Sequence, residues 1–123
     1  MQWLAVAVGG AAGALARHGL WLGTTRLYGS NFPWGTFVVN VVGCTLIGAV
    51  FVAIDEHPSE PTLRALLMTG VLGGFTTFSA FTLDAHGLTE AGYPARAALY
   101  VAASVLLCLA GCWLGAALAR RFI

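Results

Sequence analysis

The sequence predicts an all-α integral membrane protein with four transmembrane helices, of which the third is broken near its middle. The first observation is composition: the 123-residue chain is 59% hydrophobic and only 9% charged, whereas soluble domains carry about 25% charged residues. The second is a series of apolar segments close to the roughly 20 residues that cross a bilayer. The third is a cluster of glycines and hydroxyls in residues 70–84. We expect one domain, residues 1–123.

The four predicted spans follow from apolar length and from the polar residues between them. They cover about residues 3–22, 34–54, 62–88 and 94–118. A polar, glycine-containing loop follows the first span, over residues 23–33. Acidic residues and two prolines in residues 55–61 end the second span. Trp3, Trp21, Trp34 and Tyr93 lie near span ends, where interfacial aromatic residues are enriched.

The arginines do not decide how the chain is oriented. All six basic residues are arginines, and four spans place three of them toward each side of the bilayer. One side has Arg64, Arg120 and Arg121, and the other has Arg17, Arg26 and Arg96. Orientation in the membrane follows an excess of positive charge on one side, and this chain has no such excess. Either lipid and helix length decide the orientation, or copies of the chain insert in both orientations. With a net charge of +1, the chain is not expected to bind nucleic acid.

Small residues predict close packing of the helices. Gly9 and Gly13 in the first span are four residues apart, as are Gly111 and Gly115 in the fourth, and this spacing lets helix backbones approach each other. Four short helices do not readily surround a polar path unaided, so self-association is expected. The three cysteines lie in apolar spans, where free cysteine usually acts as a small packing residue. No catalytic constellation is evident, so the sequence gives no support for an enzyme.

The third span is too long for one straight crossing. Its 27 residues would form a helix of about 40 Å at ~1.5 Å per residue, against a hydrocarbon core of about 30 Å. A break near residues 73–79 would absorb the excess, because glycines and hydroxyls cluster there. Freed carbonyls could then hold a cation and freed N–H groups an anion. The alternative is a kink that threonine and serine side chains satisfy.

Two polar side chains lie inside the second span, one helical turn apart. Asn40 has an amide that lipid cannot satisfy, and Thr36 faces the same way. One interpretation of Asn40 is an ordinary hydrogen bond between helices, worth about 0.6 kcal/mol in membrane proteins. The other is a donor that faces an anion in a pore. The sequence leaves both open.

Aromatic and hydroxyl residues follow the predicted break. Phe78 and Phe81 are three residues apart and share a face if the helix resumes there, and Ser79 lies between them. A phenyl ring edge carries partial positive charge, so it can meet an anion without a full countercharge. In the fourth span Tyr100, Ser104 and Cys108 form one stripe of two hydroxyls and a thiol. Such a stripe usually makes interhelical hydrogen bonds, but beside a broken span it is compatible with an ion track.

Three segments of the chain resemble the small bacterial fluoride channels known as Fluc or CrcB. They are Gly-Gly-Ala-Ala-Gly-Ala-Leu-Ala-Arg at residues 9–17, Gly-Thr-Phe-Val-Val-Asn-Val-Val-Gly at residues 35–43, and Gly-Gly-Phe-Thr-Thr-Phe-Ser-Ala-Phe at residues 73–81. The last segment is highly specific, and the similarity covers nearly the whole chain. The resemblance implies a passive fluoride channel in the bacterial inner membrane.

The resemblance also implies an assembly and a set of site residues. The assembly is an antiparallel, dual-topology homodimer with two fluoride pores and a structural Na⁺ on its two-fold axis. Backbone carbonyls of Gly73 and Thr76 would hold the sodium, and Arg17 would lie at a vestibule that attracts anions. The implied pore residues are Thr36, Asn40, Phe78, Ser79, Phe81, Tyr100, Ser104 and Cys108.

The chain departs from the family pattern at three positions, and two other functions compete with the channel. Ala80 stands where the family often has Thr, Asp84 where Glu is common, and Cys108 where Ser is common. One competing function is a dual-topology multidrug or cation exporter, which would need a carboxylate in the membrane; Asp84 is the one candidate. The other is a membrane assembly protein that transports nothing, in which Asn40 and the break would have no role.

Overall fold

The structure, a computed structural model, describes residues 1–56 and 61–123, and their regular structure is helical throughout. Its elements in chain order are α1 (Gln2–Tyr28), α2 (Trp34–Glu56), α3 (Pro61–Arg64), a π-helical segment (Ala65–Leu72), α4 (Gly73–Phe75), α5 (Phe78–Glu90) and α6 (Pro94–Phe122). The predicted all-α class is confirmed for these residues. Residues 57–60 of the predicted loop lie outside the described part of the chain.

Three helical stretches within the described residues are long and apolar enough to cross a membrane. They are Trp34–Asp55, Pro61–Glu90 and Pro94–Phe122, and an 18-residue window in each has a mean hydropathy of 2.5, 1.5 and 2.2, respectively. With 27 residues α1 has the length, but its glycines and the Arg17–His18 pair lower its hydropathy. Large apolar side chains such as Trp113 lie on the outside, 73% exposed. In a membrane, that exterior faces lipid instead of water.

The first and last helices extend beyond the apolar segments that predicted them. α1 continues six residues past the predicted end of its span and stops at Gly29, whose positive φ of 79° suits glycine. The Thr24 hydroxyl donates to the Leu20 carbonyl at 2.8 Å inside this extension. α6 likewise continues to Phe122, with Arg120 and Arg121 in its last turn, where cations favour the helix dipole. Polar residues therefore end the apolar segment without ending the helix.

Glycines bring α1 against the third helical stretch with almost no space between the backbones. A Cβ at Gly13 would collide with the Val71 carbonyl, and one at Gly9 would lie 2.5 Å from the Leu66 carbonyl oxygen. In the third stretch, α1 contacts the π-helical segment and α4. The π-helical geometry of that segment was not indicated by the sequence pattern. The predicted close-packing role of Gly9 and Gly13 is confirmed.

A second glycine contact joins α2 to α6. A Cβ at Gly48 would collide with the Cys112 carbonyl, and one at Gly115 would collide with the Thr45 carbonyl. At Gly111 the nearest atom would be the Thr45 hydroxyl at 2.6 Å. The two helices are thus fixed side by side around Thr45, with little room for either to slide or rotate.

The third helical stretch is interrupted between α4 and α5, as predicted. Thr76 has ψ of 157° and Thr77 has φ of −148°, so two residues of extended backbone separate the helices. Thr77 is the N-cap of α5, and its hydroxyl accepts a hydrogen bond from the Ala80 N–H at 3.2 Å. The Thr76 hydroxyl donates to the Leu72 carbonyl at 3.0 Å. The Leu72 carbonyl also accepts the Thr76 backbone N–H at 3.0 Å, so Thr77 is the threonine that satisfies a group which the break would otherwise leave unpaired.

Candidate functional site

Asn40 is held against the break by two hydrogen bonds to one residue. Its Nδ2 donates to the Thr77 carbonyl at 2.9 Å, and its Oδ1 accepts from the Thr77 N–H at 2.8 Å. The side-chain amide thereby replaces the helical partners that Thr77 lacks. Only one of the two Nδ2 hydrogens is used in this way, so the second remains available for another acceptor. Asn40 thus makes the hydrogen bonds between helical segments that one interpretation predicted, and its role as a donor to an anion stays a prediction.

Phe78 and Phe81 begin α5 directly after the break, and the structure places them differently. Their ring centroids are 5.4 Å apart at an interplanar angle of 44°. Phe81 is buried and also packs on Tyr100, with centroids 5.3 Å apart. Phe78 is 78% exposed. The first ring therefore projects away from this chain, while the second belongs to its interior.

A cavity of about 230 Å³ lies beside these rings, and we call it the track cavity. Its lining includes Asn40, Cys44, Phe78, Phe81, Ser104 and Cys108. The structure thus brings together most of the predicted pore residues from α2, α5 and α6. Among the described residues, the cavity wall combines an asparagine, three residues that carry hydroxyls, two cysteines, two phenylalanines and a valine, with no charged side chain.

Ser104 is the most informative residue in the track cavity. Its hydroxyl oxygen is buried and has no hydrogen-bond partner among the described residues. An unpaired buried hydroxyl costs about 1–3 kcal/mol, and such groups are uncommon in native structures. Since Ser104 also lines the cavity, its free donor is suited to an acceptor that enters from outside the chain.

Tyr100 lies at one end of the predicted stripe and makes contacts that the sequence did not indicate. Its hydroxyl donates to Asp84 at 3.2 Å, and its ring is fully buried against Phe81 and Phe32. Tyr100 does not line the track cavity, so the cavity contains the Ser104 and Cys108 part of the stripe. Asp84 does not line the track cavity either.

Arg17, Thr36 and Ser79 line a second cavity, of about 360 Å³, on another side of the break. The Thr77 segment borders both cavities and separates them. The Ser79 hydroxyl shares a hydrogen bond with the Thr77 hydroxyl at 3.2 Å. The structure thus places Arg17, Thr36 and Ser79 at a cavity distinct from the track cavity, while Tyr100 and Gly73 line neither.

The carbonyls of Gly73 and Thr76 fit the oxygen donors that a hard cation takes. The Thr77 N–H, which in an unbroken helix would reach the Gly73 carbonyl, donates to Asn40 instead. The Thr76 carbonyl lies in the extended segment, where Arg17 Nη1 approaches it at 3.5 Å. That contact is long for a hydrogen bond. Both oxygens therefore retain capacity for a further partner.

Sequence reasoning missed two residues of this site. Thr77 supplies the N-cap of α5 and both backbone groups that hold Asn40. The sequence signal for this cap is a threonine directly before the point where the helix resumes, because its hydroxyl can accept from the N–H three residues later. Cys44 was interpreted as a packing residue but lines the track cavity together with Cys108. No sequence signal relates these cysteines, because they are 64 positions apart on different helices.

Apolar helices and an exterior of apolar side chains define a multi-pass helical membrane protein, and its broken helix borders a cavity with polar lining. Comparison with known families gives the particular one. The family described as "CrcB-like protein, Camphor Resistance (CrcB)" matches residues 4–116, and the chain belongs to this family.

Curated relatives cover essentially the full length of the chain. A protein of Rhizobium etli is 47% identical over 100% of this chain and 99% of its own length. Relatives from Rhizobium leguminosarum bv. trifolii and Rhodospirillum centenum are 50% and 49% identical, each over 98% of this chain and at least 96% of their own. All three are named "Fluoride-specific ion channel FluC". The resemblance inferred from the three sequence segments is confirmed.

Proposed function

We propose that the chain forms a passive, fluoride-selective channel that lets fluoride leave the bacterial cytoplasm across the inner membrane. The observation that carries the proposal is the Ser104 hydroxyl, buried and unpaired among the described residues, in the wall of the track cavity. The names of the full-length relatives support it. The cavity lies beside a helix break, where membrane proteins commonly place ion sites.

The lining of the track cavity is suited to a small anion that accepts hydrogen bonds. Ser104 offers an O–H, and Asn40 has a second N–H beyond the one given to Thr77. The Phe81 ring lines the same cavity, and its edge adds a weak positive field. Without a fixed cation, binding stays weak enough for the ion to leave, which conduction requires. Arg17 in the second cavity would raise the local anion concentration outside this narrow region.

Passive flow is sufficient for export of fluoride. Hydrogen fluoride is neutral and crosses membranes from acidic surroundings, and it dissociates at the neutral pH of the cytoplasm. The trapped anion then needs only a selective path along its gradient. No protein group has to be chemically altered during passage, so the proposal requires no enzyme chemistry.

The proposed assembly is an antiparallel, dual-topology homodimer. Each copy would cross the membrane four times, with α1 as a span in addition to the three apolar stretches. Phe78 supports a second copy, because this large apolar ring is 78% exposed and yet borders the track cavity. A partner surface would complete the open side of that cavity. The balance of three arginines on each side supports insertion in both orientations.

We also propose that the Gly73 and Thr76 carbonyls hold a structural Na⁺ between the two copies. Two carbonyls from each chain would give four oxygen ligands, and the ion would supply positive charge that draws the two breaks together. The freed Gly73 carbonyl and the extended backbone at Thr76 support this assignment. Arg17, which approaches the Thr76 oxygen, would turn to the second cavity when the cation is bound.

The decisive experiment is fluoride efflux from liposomes that contain the purified protein, followed with a fluoride electrode. Valinomycin lets potassium leave together with fluoride, so that no opposing membrane potential stops the efflux, and chloride-loaded liposomes test selectivity. We expect fast fluoride efflux and no chloride efflux. A folded dimer that releases no fluoride at any sodium concentration would refute the channel. Substrate-driven proton movement would favour the exporter instead.

Variants in the same assay test the assigned lining. Phe81→Ile removes the ring edge, and Asn40→Asp replaces a donor by a negative charge, so each should reduce fluoride efflux by at least about tenfold. Phe51→Ile is the matched control, because Phe51 lies on α2 and borders a different cavity. Normal efflux in both test variants would refute the assigned pore. Exchange of sodium for a large organic cation should weaken the dimer and the flux together.

A further inference from the structure

Cys44 and Cys108 are adjacent in the structure although they belong to different helices. Both line the track cavity, one from α2 and the other from α6, and their side chains lie close enough to interact. Each is partly accessible. The glycine contacts at Thr45 and Gly111 fix the two helices beside this pair, so the two sulfurs are presented together on one wall.

We propose that Cys44 and Cys108 form a two-thiolate site for a soft, two-coordinate d¹⁰ metal cation, such as Cu⁺, Ag⁺ or Hg²⁺, and that occupancy closes the track cavity. Thiolate sulfur selects soft cations over hard ones. No cluster of three or more histidine, cysteine, aspartate or glutamate ligands occurs among the described residues. The site therefore offers two sulfurs and suits a cation that prefers linear coordination, not tetrahedral Zn²⁺.

The binding step balances without an oxidant. With Hg²⁺, two S–H bonds break, two S–Hg bonds form, and two protons leave to the solvent. The Hg²⁺ product is a neutral bis-thiolate that places no net charge in the apolar wall, which avoids the cost of burying an ion; the corresponding Cu⁺ or Ag⁺ product carries one negative charge and is less favourable there. Excess small-molecule dithiol reverses the reaction by exchange at the metal.

Closure of the cavity follows from its small size, and this consequence rests on the proposed channel function. The cavity of about 230 Å³ holds Cys44, Cys108 and the Ser104 hydroxyl on neighbouring turns. A metal between the sulfurs would occupy part of that space and remove the thiol donors. It would also link α2 to α6 across the cavity wall. Both changes obstruct an anion that has to pass Ser104.

Metal binding is tested first, without reference to transport. Purified protein is treated with HgCl₂, challenged with excess free cysteine, and examined by native mass spectrometry. We expect one mercury per chain to survive the challenge in wild type, because a chelate of two fixed thiolates resists exchange. Cys44→Ser and Cys108→Ser should each lose the metal to free cysteine.

Cys112→Ser is the matched control for this experiment. Cys112 lies one helical turn beyond Cys108 on α6 but borders a different cavity, with Phe51 and Trp113. The Cys112→Ser protein should retain its mercury as wild type does. Retention by the Cys44→Ser or Cys108→Ser protein, or loss only in Cys112→Ser, would overturn the proposed site.

The transport arm uses the same four proteins in the fluoride efflux assay, each normalised to its own rate without metal. HgCl₂ should slow wild type and Cys112→Ser by at least about tenfold, and dithiol should restore both. Cys44→Ser and Cys108→Ser should retain their untreated rates. Stable mercury binding with unchanged fluoride efflux would overturn closure of the track cavity. Absence of efflux before metal is added would count against the channel function and would not affect the result of the binding experiment.

Discussion

Replacement of Asn40 by leucine gives the most direct test of how the break is stabilised. Leucine has the same branching and the same number of side-chain heavy atoms as asparagine, with bulkier methyl groups, so Asn40→Leu removes the amide without opening a cavity. The Thr77 N–H and carbonyl then lose bonds of 2.8 and 2.9 Å. Thr77 lies in extended backbone between α4 and α5, so no helical neighbour replaces those bonds.

The magnitude follows from the two groups left unpaired. Each buried backbone group without a partner costs about 1–3 kcal/mol, which gives a loss of about 2–6 kcal/mol for the pair. Side-chain hydrogen bonds in membrane proteins average only about 0.6 kcal/mol, or about 1.2 kcal/mol for two. We expect the larger loss of stability, about 2–6 kcal/mol, because the groups left unpaired are main-chain groups that cannot rotate to another partner.

Thermal unfolding in detergent measures this effect, with Thr45→Val as the matched control. Thr45 also lies on α2, and its hydroxyl donates to the Val41 carbonyl at 2.9 Å. Because that carbonyl also has its helical N–H donor, Thr45→Val should reduce stability by less than about 1 kcal/mol. Asn40→Leu should lower Tm by about 6 °C or more, at ~3 °C per kcal/mol. Equal Tm values for the two variants would refute the argument that Asn40 supports the break.

Three further predictions separate stability from function. Ser104→Ala should raise Tm by about 3 °C or more, at ~3 °C per kcal/mol, because it removes a buried hydroxyl that has no partner among the described residues, yet it should reduce fluoride efflux; a large loss of Tm would show that the hydroxyl is structural. Thr77→Val removes the cap on the Ala80 N–H and should cost about 1 kcal/mol by thermal unfolding; an unchanged Tm would contradict the capping role. Gly13→Ala should cost about 1–3 kcal/mol, because its methyl group meets the Val71 carbonyl. A Cβ at Gly19, on the same helix, would meet no described atom within 4 Å, so a Gly19→Ala protein as unstable as Gly13→Ala would contradict the packing argument.

Helix ends show where the sequence was sufficient and where it was not. The starts of α2 and α6 at Trp34 and Pro94 coincide with the predicted starts. The ends of α1 and α6 were predicted too early, because apolar length measures the membrane crossing and a helix can continue into water. The π-helical segment Ala65–Leu72 was not predicted at all, since residue types do not encode whether a backbone hydrogen bond spans four or five residues.

The site also combines features that the sequence predicted with features that it did not. Glycines and hydroxyls near residues 73–79 predicted the break, and the structure places it at Thr76 and Thr77. The bonds from Asn40 to Thr77 join residues 37 positions apart, and the pairing was not deducible from either segment alone. Tyr100 was predicted beside Ser104 by helical spacing, but its bond to Asp84 depends on how α5 packs on α6.

The sequence by itself determined the membrane class, the family and the position of the broken helix, because hydropathy, glycine and hydroxyl clusters act locally along the chain. Only the tertiary structure decided which polar groups meet. It directed Asn40 to the Thr77 backbone, left the Ser104 hydroxyl unpaired among the described residues and brought Cys44 beside Cys108. The physical reason is that contacts between helices depend on their rotation and separation, which the glycines at the α2–α6 contact set by permitting backbones to touch.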